Sequence, residues 1–134
     1  MMNWWEKYVG IDFVSKGRSW SGVDCYGLLR LIYRHERGIE LPALQGYEST
    51  RDHATMNSMI HTQPTLIGFI PVGLTELQAF DVLVIRQAGF DCHLGIVIDH
   101  RRIIHSEHGK MAVVEDFTRP HLRPRIREAW RYAI

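Results

Sequence analysis

The apolar residues change their period part-way along the chain, and that change limits the fold more than any other feature. Between Asp24 and Arg37 they recur at helical spacing. Leu28, Leu29, Ile32 and Tyr33 fall on one stripe, with Arg30, Arg34, His35 and Arg37 off it. Asp24 is a good N-cap residue, Gly38 stands where a glycine ends a helix, and basic residues crowd the last turn. The spacing predicts a helix over residues 24–37. From Asp81 onward the period is that of strands. Asp81-Val82-Leu83-Val84-Ile85-Arg86 has the β-branched content of a buried strand. Residues 92–98 and 102–105 read as a hairpin, 111–115 as a further strand and 126–132 as a last one. A helical first half and a stranded second half define an α+β domain.

Other segments are less decisive. Asn3 caps a short helix carrying Trp4, Trp5 and Tyr8, which Gly10 ends. Residues 10–22 read as a loop rich in glycine and serine, and residues 50–62 as a thinly patterned second helix behind Thr50. The arginines from Arg119 to Arg127, with Pro120 and Pro124 among them, read as a surface loop before the last strand.

Length and composition set outer limits. With 134 residues, 46% of them apolar, the chain fits one domain over residues 1–134 with one real core. Sixteen basic against fifteen acidic residues give a formal charge of +1, so nothing in the charge balance favours nucleic acid or an acidic membrane surface. Two cysteines are too few for a disulfide scaffold. The first residues hold no apolar run of signal-peptide length, and no stretch approaches the ~18 apolar residues of a membrane span. The expectation is a soluble chain made in the cytoplasm, carried outside, if it acts there, by something other than its own signal.

Cys25 follows the predicted cap of the strongest helix. Unpaired backbone N–H groups and the helix dipole favour an anion there, and so a thiolate. Gly27 costs that helix ~1 kcal/mol against alanine, and its presence asks for a close approach by another chain segment or a substrate. In the hairpin, alternation puts Cys92, Leu94, Ile96 and Ile98 on one apolar face, and His93, Gly95 and Val97 on the other. A three-residue loop Asp99-His100-Arg101 pairs Gly95 with His105 and makes His105 the diagonal neighbour of His93, Cβ atoms roughly 7 Å apart. A two-residue turn puts the two histidines on opposite faces, and the residues alone leave both registers open. A helix-start cysteine, a strand histidine and a polar group orienting that histidine make an activated nucleophile. In that arrangement Cys25 attacks, His93 takes its proton, His105 holds the His93 tautomer and the Cys25 backbone N–H is an oxyanion donor. Zinc is not expected: C-x-x-C and H-E-x-x-H spacings are absent, and Cys92 and His93 face opposite ways. Cys92 reads as a small core residue, and His53, His61, His100 and His121 as solvated.

Gly22-Val23-Asp24-Cys25-Tyr26-Gly27-Leu28-Leu29, followed by Gly38-Ile39-Glu40-Leu41-Pro42, resembles the catalytic helix of the NlpC-type cysteine peptidases. It is most similar to their phage-tail and gene-transfer-agent branch, in which an aromatic follows the cysteine. His93-Leu94-Gly95-Ile96-Val97 resembles the family's histidine strand, and Ile103-Ile104-His105 its third-residue strand, so that the likeness runs over roughly residues 8 to 107. The resemblance implies a papain-like α+β fold with N-terminal helices packed on an antiparallel sheet, and a Cys25-His93-His105 triad. It implies no metal and no cofactor. It also implies cleavage of the D-Glu to diamino-acid bond of peptidoglycan stem peptides, with phage-like tail proteins as partners. A structural tail-tip component or a peptidoglycan amidase are the alternatives on the same fold. Asp24, Tyr26 and Phe13 are the candidates for substrate contact. Tyr26 stands where many members have serine, Phe13 where a tyrosine is usual, and Phe80-Asp81 where Gly-Asp is frequent.

Overall fold

Asp24 begins the first helix as its sequence position requires. Its carboxylate accepts the Gly27 backbone N–H at 2.8 Å, and its carbonyl accepts Leu28 N–H at 2.9 Å. In the computed structural model, which describes residues 2–133, α1 runs Cys25–Ile32 and widens into one π-helical stretch, Tyr33–Arg37. It stops at Gly38, whose φ of 64° is the left-handed conformation that glycine adopts without strain. A 3₁₀ turn, Glu6–Tyr8, replaces the short helix expected at the N-terminus. The expected loop over residues 10–22 contains a small ribbon, β1 (Arg18–Ser19) against β2 (Gly22–Val23). The second helix, α2, runs His53–Leu66, later and longer than the thin pattern suggested, with Pro64 in its last turn.

Six strands follow: β3 (Phe69–Val72), β4 (Val82–Gln87), β5 (Phe90–Val97), β6 (Arg102–His105), β7 (Val113–Asp116) and β8 (Ile126–Tyr132). They form one antiparallel sheet in the order β3-β8-β4-β5-β6-β7. The β3 strand was not foreseen, because Pro71 argues against a strand. It lies at the sheet edge, where a missing N–H costs no ladder bond. Between β5 and β6, Ile96 pairs with Ile104 and Val97 with Ile103, and Ile98 N–H donates to the Arg102 carbonyl at 2.9 Å. This is the three-residue-loop register. A β-bulge interrupts β4–β5 just before His93: Ile85 pairs with His93 but Arg86 with Asp91, leaving Cys92 as the extra residue.

Both faces of the sheet are covered. Leu28, Leu29 and Ile32 of α1 pack with Val82, Val84, Cys92, Leu94 and Ile96 on one side. On the other side Leu83, Ile85, Val97 and Ile103 pack under Phe117 and Leu122. The face carrying His93 is therefore a second core, which alternation alone did not reveal. The arginine-rich segment expected to be a plain surface loop supplies the buried Leu122 that closes it. Two histidines expected to be solvated carry structural bonds. His61 Nε2 lies 3.1 Å from Asp91 Oδ2 and helps hold α2 to β5, and His121 bonds Glu115.

Candidate active site

Gly27 fixes where Cys25 sits. A Cβ at position 27 would lie 2.0 Å from the Gly17 carbonyl oxygen, so only glycine lets the segment before β1 press on the first turn of α1. Cys25 is 5% exposed. The backbone N–H groups of Leu94 and Tyr26 lie near its sulfur, and Leu94 of β5 lines the same cavity. Burial pushes the Cys25 thiol up to about 12, and the neighbouring Asp24 carboxylate pushes the same way. The Leu94 and Tyr26 N–H groups only partly oppose them. A resting thiolate, expected from the helix start alone, is thus corrected to a resting thiol.

The two histidines meet on the second-core face. His93 Nε2 and His105 Nδ1 are 2.8 Å apart, and both side chains are buried. Burial first, then the neighbouring His105 and Arg125, hold the His93 imidazole well below its ordinary value. The chain of bonds continues outward: His105 Nε2 lies 2.8 Å from Glu115 Oε1, and Glu115 Oε2 lies 2.9 Å from Nε2 of the exposed His121. Neither Glu115 nor His121 carries a motif. Their meeting depends on the β6–β7 register, in which His105 pairs with Val113 and Ile103 with Glu115, so that alternation brings Glu115 to the His105 face.

The three proposed contact residues are placed differently from one another. Asp24 is 0% exposed, and its carboxylate is taken by Gly27 N–H, Lys16 N–H, the Arg18 guanidinium at 2.8 Å and the Tyr47 hydroxyl. Those donors leave it capping the helix, closed to solvent. Arg18 also lies over the Tyr26 ring, 5.3 Å from its centroid, and Tyr26 donates its hydroxyl to the Pro42 carbonyl at 2.6 Å. Cys25 and Tyr26 form part of the wall of an open apolar cavity between both helices and the sheet. Met56, Met59, Leu94 and Trp130 complete much of that wall. Phe13 stacks edge-on against His108, centroids 5.4 Å apart, and bridges Val23 through its backbone.

One trio of groups has metal-ligand chemistry. Ligand atoms of His93, His105 and Glu107 lie within 4.8 Å of one another. The 2.8 Å between the ring nitrogens is a hydrogen-bond distance. Two zinc ligands at tetrahedral angles would stand about 3.3 Å apart. The pair as placed is built to share a proton.

A papain-like α+β fold with a cysteine at the start of a buried helix, packed on a sheet whose other face carries a hydrogen-bonded histidine pair, defines a class of protein. Residues 10–131 match the NlpC/P60 family, and the chain belongs to it. It is similar to the murein DD-endopeptidase MepS/murein LD-carboxypeptidase of Escherichia coli K12. The two are 22% identical over 131 residues, covering 98% of this chain and 61% of that protein. The chain thus spans about three-fifths of the length of the curated relatives it matches. Among solved structures, an NlpC/P60 family protein of Bacillus cereus ATCC 10987 superposes with a TM-score of 0.69 at 21% identity, over 95% of this chain and 37% of that one. The NlpC/P60 domain of the peptidoglycan hydrolase SagA gives 0.62 at 21% identity, over 94% of this chain and 91% of that one.

Proposed function

We propose that this chain is a cysteine endopeptidase that cuts peptidoglycan stem peptides at the D-Glu to diamino-acid bond. One observation carries the reading. The buried His93 is hydrogen-bonded to His105 at 2.8 Å, on a strand whose next residue, Leu94, lines one cavity with Cys25. A resting thiol and a neutral imidazole do not form a standing ion pair, so proton transfer accompanies attack. Cys25 sulfur adds to the scissile carbonyl as its proton passes to His93, and the first-turn N–H of Cys25 stabilises the oxyanion. His93 then protonates the departing amine, leaving a thioester on Cys25. Water attacks that thioester with His93 as base, releasing the carboxylate and restoring the thiol. His105 holds His93 in the tautomer that accepts the thiol proton.

Family membership supports a wall-directed reaction, and the names of the similar proteins, a murein endopeptidase and a peptidoglycan hydrolase, support the substrate. The aromatic Tyr26 after the nucleophile and the Gly38-to-Pro42 run support a finer reading. In it the chain works mounted on a phage-like tail. Mass spectrometry of purified peptidoglycan digested by the wild type and by Cys25→Ala tests the bond. The wild type should release stem-peptide fragments ending in D-Glu, and Cys25→Ala should release none. Cysteine-dependent cleavage between sugar and peptide would make the enzyme an amidase. Equal digestion by both proteins would overturn the reading.

A further inference from the structure

We propose that Glu115 is a positioning residue for the histidine pair, setting through its bond to His105 the tautomers of both rings. The inference rests on the reading of Cys25 and His93 just given, and its first test does not depend on turnover.

Donors and acceptors fix the order of the bonds. A carboxylate only accepts hydrogen bonds, so at 2.8 Å from Glu115 Oε1 the His105 Nε2 must carry a proton. A neutral His105 then has a bare Nδ1, which can only accept. His93 Nε2, 2.8 Å from that atom, must donate to it. A neutral His93 whose proton is on Nε2 presents the lone pair of Nδ1, and only that tautomer can take a proton from a thiol through Nδ1. Reversing either bond puts the proton on His93 Nδ1 and removes the base.

The surroundings favour this order. Burial alone would lift the Glu115 carboxyl, but hydrogen bonds from His121 and His105 outweigh it and hold the group below its ordinary value, hence ionised. Its second oxygen is occupied by His121 at 2.9 Å, which fixes the carboxylate plane toward His105. The rival acceptor for His105 Nδ1, Glu107 Oε1, stands off at 3.5 Å, and the other carboxylate oxygen, Oε2, faces Gln87 and Lys110. Arg125 is the charged neighbour of His93. The relay thus runs from the buried His93 through His105 and Glu115 to His121 at the surface. Its outer two members lie beyond a cysteine and two histidines.

Long-range proton–nitrogen NMR of the imidazole rings reads the tautomers in the resting protein near neutral pH. Protons on Nε2 of both His93 and His105 in the wild type are the expected result. A proton on Nδ1 of either ring overturns the proposal. In Glu115→Leu the Nε2–H preference of His105 should be lost and kcat should fall about 10–100-fold, with KM changed far less. Glu115→Gln, whose amide oxygen can still accept the His105 proton, should restore the tautomer and most of kcat, and it serves alone should the leucine variant not fold. A folded Glu115→Leu with wild-type kcat would overturn the positioning role. A wild type without turnover, but with both rings protonated on Nε2, would count against the proposed function and leave the tautomer assignment standing.

Discussion

Replacing Gly27 by alanine would set a methyl 2.0 Å from the Gly17 carbonyl oxygen, a contact that backbone must move to relieve. The expected cost is about 1–3 kcal/mol, read as a lower urea midpoint with an unchanged m-value. A Gly27→Ala protein as stable as the wild type would mean that the Gly17 segment does not press on α1. At His93 the expected effect is chemical. His93→Ala should lower kcat about 10²–10⁴-fold, the usual worth of a positioned general base. His105→Ala should cost less, since an orienting group is less essential than the base. Steady-state turnover, with circular dichroism to verify folding, decides this. Equal losses in the two variants would give His105 more than an orienting role. The meeting of His93 and His105, and the place of Cys25 at the start of α1, were legible because spacing and helix or strand position are local properties. Glu115 and His121 were not, because their roles follow from strand register and from side chains six residues apart meeting on one face. Nor could the Cys25 thiol's upward shift be read, since it depends on burial and on Asp24 being folded against it.

Among the elements, α1 was the most legible. Asp24 at its start and Gly38 at its end state both boundaries, and only the π-helical widening over Tyr33–Arg37 lay beyond the pattern. The β5–β6 hairpin was legible up to its loop length, which the Asp99 turn decided. Asp99 Oδ1 accepts the Arg101 and Arg102 N–H groups at 3.0 and 2.9 Å. β3 was hidden by Pro71. The second core was hidden because its cover, Phe117 and Leu122, comes from a segment whose composition reads as surface. The C-terminal strand β8 is held by an ion pair that sequence distance concealed. Arg131 donates Nε and Nη2 to the two oxygens of the buried Asp81 at 2.9 and 2.8 Å, and Asp81 also accepts Gln78 N–H. Asp81→Ala should destabilise by about 1–3 kcal/mol, because the half-open Arg131 can return to water while Gln78 N–H loses its acceptor. Thermal melting checks this, and an unchanged midpoint would remove the pair from the account.

For the molecule as a whole, two buried groups with opposite shifts contribute to a window of pH stability. The folded state holds the Cys25 proton more tightly than the unfolded chain. The stability this contributes is complete below the free thiol value of about 8.5 and is lost as pH climbs toward the folded value of about 12. His93 is the reverse case: folding favours its neutral form. That contribution is complete above the ordinary imidazole range and is lost as pH falls below about 6.5. Melting temperature should therefore fall on both sides of a plateau near neutrality. Cys25→Ala should flatten the alkaline limb and His93→Gln the acid one. Limbs unchanged by these substitutions would assign the pH dependence to other groups.

A nucleophilic Cys25 carries the acyl group during turnover, and that covalent intermediate can be trapped. Acid-quenching a brief reaction with a purified stem peptide, followed by peptide mapping, locates any thioester. An adduct of the D-Glu-terminated fragment on the peptide containing Cys25, none on the one containing Cys92, and neither in Cys25→Ala is the predicted result. Hydrolysis that proceeds undiminished in Cys25→Ala, or an adduct on Cys92, would contradict it.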